Sequence, residues 1–179
     1  WCDIYLLGVD HYTNGTSRNG VTIADSSSPP KVPAAFGGDG SSTYTPTQYA
    51  CAEIMASHGK QLLSYGEFAA AAYGVTEATA RGSDPVSTGL DAARTSRWGI
   101  MQATGNMWVW GRDLGGPYGA ASWNANTEGR GSTYNVPNAA LFGATWLDGG
   151  DSGSRASSWS YAPSTSHFAI GARGVGDQS

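Results

Sequence analysis

Lysine is nearly missing from this 179-residue chain, occurring only as Lys31 and Lys60, and charged residues of all kinds make up 13%. With a formal net charge of −4, the sequence offers no basic stripe for nucleic acid or for an anionic membrane. No apolar run approaches the roughly 18 residues that a bilayer-spanning helix needs. Cysteine occurs only at Cys2 and Cys51, too few for a secreted disulfide scaffold. Two free thiols is the ordinary reading, and a bond between them stays open. The histidines His11, His58 and His167 are far apart, with no i, i+4 pair and no nearby cysteine ligands, so no transition-metal site is expected. The chain begins with Trp, not Met, so it reads as processed or truncated, and the lack of a visible signal peptide carries little weight.

What is abundant is glycine, with 26 residues, and large aromatics, with seven tryptophans and nine tyrosines. That mixture suits a loop-rich fold whose aromatic residues fill gaps between short strands. Length predicts one domain, residues 1–179, with room for a real core. Strands are expected at 2–9 (CDIYLLGV) and 20–24 (GVTIA), then a Ser-, Pro- and Gly-rich surface loop from Asp25 to Pro46. A first helix is expected to start near Pro46 and end at Gly59. Ser64-Tyr-Gly-Glu67 has the spacing of a capping box, opening a second helix over Phe68 to Tyr73 that stops at Gly74. A loop from about Thr79 to Ser96 leads to short strands at 98–103, 107–110, 141–146 and 167–173. Helices early and strands late is an α+β order. Trp98, Trp108, Trp110 and Trp123 are expected to fill the core.

Catalytic motifs are thin. Ser152-Gly153-Ser154-Arg155 is not G-x-S-x-G, and serine in such a turn usually makes local hydrogen bonds. Asp148-Gly-Gly-Asp151 has two carboxylates where a calcium loop would use more. The predicted cofactor content is none.

The most informative stretch is Leu141 to Gly174, LFGATWLDGGDSGSRASSWSYAPSTSHFAIGARG. Two tryptophans, a Ser-Gly-Ser-Arg turn, a Pro-Ser and a closing Gly-Ala-Arg-Gly make a frame. Between them sit side chains with no common physical character, unlike a core strand or a catalytic loop. This frame, with KQLLSYGEFAAAAYGVTEAT (60–79), SRWGIMQATGNMWVWGRDLGG (96–116) and GRGSTYNVPNAALFG (129–143), resembles the retroelement-diversified variable proteins of the phage major tropism determinant family.

The resemblance implies a C-type-lectin-like fold, related to that of formylglycine-generating enzymes, and a variable recognition region over residues 141–175. It puts the receptor-binding variable positions on Thr145, Leu147, Asp148, Gly149, Asp151, Ser158, Ser160, Tyr161, Thr165, His167, Ala169 and Ile170. Trp146, Arg155, Trp159 and Arg173 become scaffold, the arginines by bonding loop carbonyls through a five-donor fork. Diversification in that family changes adenines of Asn codons, which cannot yield Lys, Glu, Gln, Met or Trp, and none of the twelve positions carries one of these. Sugar-binding C-type lectins use Glu-Pro-Asn or Gln-Pro-Asp to hold calcium, whereas Val136-Pro137-Asn138 has valine in place of the ligand. The oxidase chemistry of the formylglycine enzymes needs late cysteines, and none follows Cys51.

The implied function is a non-enzymatic receptor-binding protein of a phage tail fibre, located at the fibre tip of the virion. It would act as a homotrimer on a host cell-surface receptor, protein or glycan, with no nucleic-acid partner and no membrane insertion. The alternatives are a bacterial surface-displayed diversified binder and a formylglycine-generating-type oxidase.

Overall fold

The computed structural model describes residues 1–118, 123–125, 132–134 and 137–176. Among the described residues the α-helices are α1 (His11–Asn14), α2 (Gln48–Ser57) and α3 (Tyr65–Ala71). The strands are β1 (Gln61–Leu62), β2 (Trp108–Tyr118), β3 (Trp123–Ala125), β4 (Ser132–Tyr134), β5 (Pro137–Phe142), β6 (Ser157–Tyr161), β7 (Ile170–Gly171) and β8 (Gly174–Val175). Apart from β1, which lies between α2 and α3, the helices precede the strands, the α+β order that the sequence predicts.

The central sheet runs β6-β5-β2-β7, with β2 antiparallel to β5 and parallel to β7. Both of its faces are covered, and strand alternation divides the core accordingly. Val109, Ala140 and Phe142 face one way, onto Phe68 of α3 and Ala72 just past its end. Trp110, Ala139, Leu141 and Ile170 face the other way, onto Ala50, Cys51, Ile54 and Met55 of α2. Phe142 stacks on Phe68 at 5.1 Å between ring centroids. Trp110 is fully buried, and its indole N–H donates to the Pro46 carbonyl.

The helix starts follow their caps. Pro46 lies one residue before the cap: Thr47 is the N-cap, accepting the Ala50 amide, so α2 opens at Gln48. The capping box forms as the spacing predicts, with Ser64 Oγ accepting the Glu67 amide and Glu67 Oε2 accepting the Ser64 amide. Helix α1, which has no apolar period to announce it, is a single turn capped by Asp10.

Several expected strands do not form as such. Residues 2–9 pair through isolated bridges at Cys2 and Gly8, because the segment alternates partners. The Asp3 and Leu7 amides donate to Gly174 and Ala172 in the C-terminal segment, while the Leu7 carbonyl accepts from Ala24. Residues 98–103 are turns, with Gly99 and Gln102 at positive φ. Strand β5 starts earlier than expected and ends at Phe142, because Gly143 adopts φ 94 and swings the chain off the sheet. The segment expected as a strand at 167–173 contributes only Ile170–Gly171. Trp98 is 65% exposed, against the core role expected of it: its indole N–H caps the Ala70 carbonyl near the end of α3 and lays the ring across the surface. Trp108 is half-buried, and the Trp123 side chain lies outside the described residues. Cys2 and Cys51 are both free thiols.

Candidate recognition face

Past Gly143 the chain leaves the sheet and is tied down on a base contributed by residues 77–106. The Trp146 amide donates to Asn106 O, and the Trp146 carbonyl accepts from the Gly82 amide. Asn106 Nδ2 bonds Asp91, which also pairs with Arg94. Ser152 O accepts the Ala78 amide at 2.9 Å. The Glu77 carboxylate takes both the amide and the hydroxyl of Ser154. Sequence reasoning missed Glu77. Its one legible signal is a lone carboxylate in an otherwise Ala- and Thr-rich stretch, which does not say what it will meet.

The frame tryptophans do different work. Trp146 is 6% exposed and belongs to the core on the α3 side. Trp159 is half-buried on β6, its ring lying where a Cβ on Gly115 would stand, 3.0 Å from the nearest ring atoms. A side chain at Gly115 would displace it. Asn138 Nδ2 donates to the Trp159 carbonyl, holding β6 to its neighbour beyond the ladder bonds.

The two frame arginines separate. Arg173 is buried, and its guanidinium donates to the carbonyls of Asp3, Ile4 and Met101 at 2.6–2.8 Å. Burial pulls its pKa below the ordinary value, opposed by nearby Cys2 and Asp3. Arg155 does not play the expected carbonyl-bonding role. It is exposed and makes no hydrogen bond to a described residue, because the 152–155 turn is anchored through Ser152 and Ser154 instead and leaves the next side chain pointing out.

The twelve positions assigned to variation divide by burial. Leu147 is 74% exposed, and Asp151, Ser160 and Tyr161 are exposed as well. Thr145, Asp148, Gly149, Ser158, Thr165 and His167 are half-buried. Ala169 and Ile170 are buried, Ile170 at 1%. The receptor-contacting role that the resemblance implies for Ile170 does not fit this placement: pairing of β7 with β2 turns its side chain onto the α2-side core beside Trp110. Asp148 is a structural group as well as a surface one, since its Oδ2 accepts both the amide and the hydroxyl of Thr145 at 2.8 Å. Ser158 and Ser160, two apart on β6, bond each other through their hydroxyls.

Aromatic rings connect the two ends of the segment. Tyr161 and His167 lie 6.4 Å apart, His167 and Phe168 4.3 Å, and Phe168 and Trp146 5.9 Å. Phe168 is 44% exposed, and the sequence reading assigned it no role. It lies between two assigned positions, so its sequence context looked like filler.

Burial pushes the pKa of Cys51 up to about 12 and also raises that of Cys2. Among the described residues no three of His, Cys, Asp and Glu gather as metal ligands. His11 and His58 do meet, despite their separation in sequence. Val136, of the lectin-type calcium string, lies outside the described residues.

The chain is 50% identical to the tail fiber receptor-binding protein of Bordetella phage BPP-1 over 187 aligned positions, covering 99% of this chain and 49% of that protein. The chain belongs to the major tropism determinant family. Among solved structures, the U1 and I1 variants of the Major Tropism Determinant each superpose with a TM-score of 0.96 at 51% identity, covering 99% of this chain and 50% of theirs. The P3c variant superposes at 0.94 and 50% identity, covering 97% of this chain and 49% of its own. The fold is therefore C-type-lectin-like, and the chain spans about half the length of the family members it matches. No protein-family model matches it.

Proposed function

We propose that this chain is the receptor-binding part of a phage tail fibre, carried on the virion and non-enzymatic, which meets a host surface receptor through residues 145–168. The observation that carries the reading is the half-identity to a tail fibre receptor-binding protein across essentially the whole chain. The local geometry supports it. Leu147, Asp151, Ser160 and Tyr161 project from a backbone tied down at Trp146, Ser152 and Ser154, so their identities can change without altering the fold.

We further propose that the face is diversified by a retroelement at the ten surface-reaching positions of the twelve. The buried pair, Ala169 and Ile170, would vary only among residues the core accepts. A single patch of this kind is small, and a homotrimer would raise apparent affinity through avidity. Trimerisation is part of this proposal.

Flanking DNA tests it. A reverse transcriptase gene and a near-copy of codons 141–175 with Asn codons at the variable positions are expected beside phage tail genes. A signal peptide or lipobox encoded upstream, with no tail genes nearby, would overturn the virion reading in favour of a bacterial surface binder.

A further inference from the structure

Helix α3 buries Phe68, and Ala72 just past its end is buried too, whereas Gly66, Ala70 and Tyr73 are exposed and Ala69 is half-buried. These last four are spaced i, i+3, i+4, i+7, one continuous line along the helix. A solvent-facing helix stripe is ordinarily charged or polar, and the one polar side-chain group in this stripe is the Tyr73 hydroxyl. It forms the floor of a groove of about 830 Å3, the size range of small-molecule sites. Trp98 and Ile100 wall it, and the Trp98 ring is held there by its bond to the Ala70 carbonyl. Arg155 is the one charged side chain among its lining residues. That guanidinium has no hydrogen-bond partner among the described residues, in a chain whose net charge is negative.

We propose that this groove binds a straight-chain aliphatic carboxylate, with the hydrocarbon lying along the Gly66–Tyr73 stripe and the acid head on Arg155. A linear trough with small residues beneath it admits a narrow chain lengthwise, and the aromatic wall shields it from water. Arg155 offers a planar fork that matches a carboxylate in a two-point pair. None of the twelve variable positions lines the groove. The site therefore stands independently of the receptor-binding reading, and every variant of the recognition face would share it.

The test uses the full-length protein, titrated with laurate and with dodecanol by calorimetry and tryptophan fluorescence. Laurate should bind at a single site and perturb the tryptophan emission, and dodecanol should bind more weakly. Arg155→Gln should weaken laurate about tenfold and leave dodecanol unchanged, since a charge-assisted pair is lost from one ligand only. Ala70→Trp should block both ligands by filling the floor. Thermal melts check that it folds, and Tyr73→Glu, which puts a charge into the trough, serves if it does not. Laurate affinity equal in Arg155→Gln and the parent would overturn the proposal, as would uptake at many sites insensitive to Ala70→Trp. Failure of the full-length protein to bind laurate would also overturn it, meaning that another segment or copy covers the groove.

Discussion

His11 and His58, 47 residues apart, meet ring to ring, with His11 Nδ1 and His58 Nε2 2.9 Å from each other. The other nitrogen of His11 lies 2.8 Å from the Lys31 carbonyl, which can only accept. That contact assigns the proton to His11 Nε2, leaves Nδ1 as acceptor, and makes His58 Nε2–H the donor. The buried His11 ring thus joins the 31–36 loop to the end of α2.

This pair predicts an acid-sensitive stability. Burial, with His11 and Lys60 nearby, lowers the pKa of His58 from the ordinary histidine value of 6.5, and Asp3 opposes this. Below 6.5 the unfolded chain takes up a proton at His58 that the folded chain refuses, so stability falls as pH drops from about 6.5 toward the lowered value. Thermal melts between pH 7.5 and 5 should show the decline. His58→Gln, whose amide can still donate to His11, should flatten that part of the profile. A slope unchanged by His58→Gln would refute the assignment.

The recognition segment separates surface from core at single residues. Leu147→Ala, Ser160→Ala and Tyr161→Ala should each change stability by no more than about 0.5 kcal/mol. Ile170→Ala should cost about 2–5 kcal/mol, because it opens a cavity against Trp110 and α2. Denaturant titrations distinguish the two classes, and an Ile170→Ala protein as stable as its parent would contradict the buried placement.

Arg173 and Arg155 should behave as opposites. Arg173→Met removes donors from three buried or half-buried carbonyls. It should destabilise by at least the roughly 1–3 kcal/mol that one unsatisfied buried polar group costs. Arg155→Ala should leave the melting temperature within error of the parent, since the side chain holds nothing together. Equal losses from the two substitutions would mean that Arg155 is anchored after all.

Phe168 should matter to binding more than its unassigned status in the sequence suggests. Its ring is braced by His167 and by the buried Trp146, so it presents a rigid apolar surface at low entropic cost. Phe168→Ala should lose about 0.5–1.5 kcal/mol of stability, the worth of its ring contacts. Adsorption of virions to susceptible host cells should fall by a larger factor than that loss explains. Undiminished adsorption would show that the face makes its contacts elsewhere.

Glu77 gives a sharper view of how the segment is held. Its carboxylate receives the amide and hydroxyl of Ser154, beside the Ala78 amide that donates to the Ser152 carbonyl. Glu77→Gln keeps one acceptor, so it should loosen the 152–155 turn without unfolding the domain. Faster amide exchange confined to that turn, at unchanged melting temperature, is the expected signature.

Local rules acting over a few residues were legible in the sequence. The Ser64–Glu67 box closes within one helical turn, so its residues alone determine that α3 starts there. The α+β order could likewise be read from turn residues and from the Trp-rich blocks that resemble a known family. Burial along the C-terminal quarter could not. Ile170 and Leu147 are both aliphatic and both sit among Ser and Gly, yet one is core and the other stands in solvent. What separates them is β2, a strand some 60 residues earlier, which pairs with β7 and carries Ile170 inward. The two arginines make the same point: Arg173 is enclosed because residues 3–4 and 101–102 converge on it, and Arg155 is exposed because its turn is held through Ser152 and Ser154. Caps and turns are decided by neighbours in sequence, so the sequence by itself determined them. Which side chain faces core, solvent or groove is decided by segments that meet only when the chain has folded, so that belonged to the tertiary structure alone.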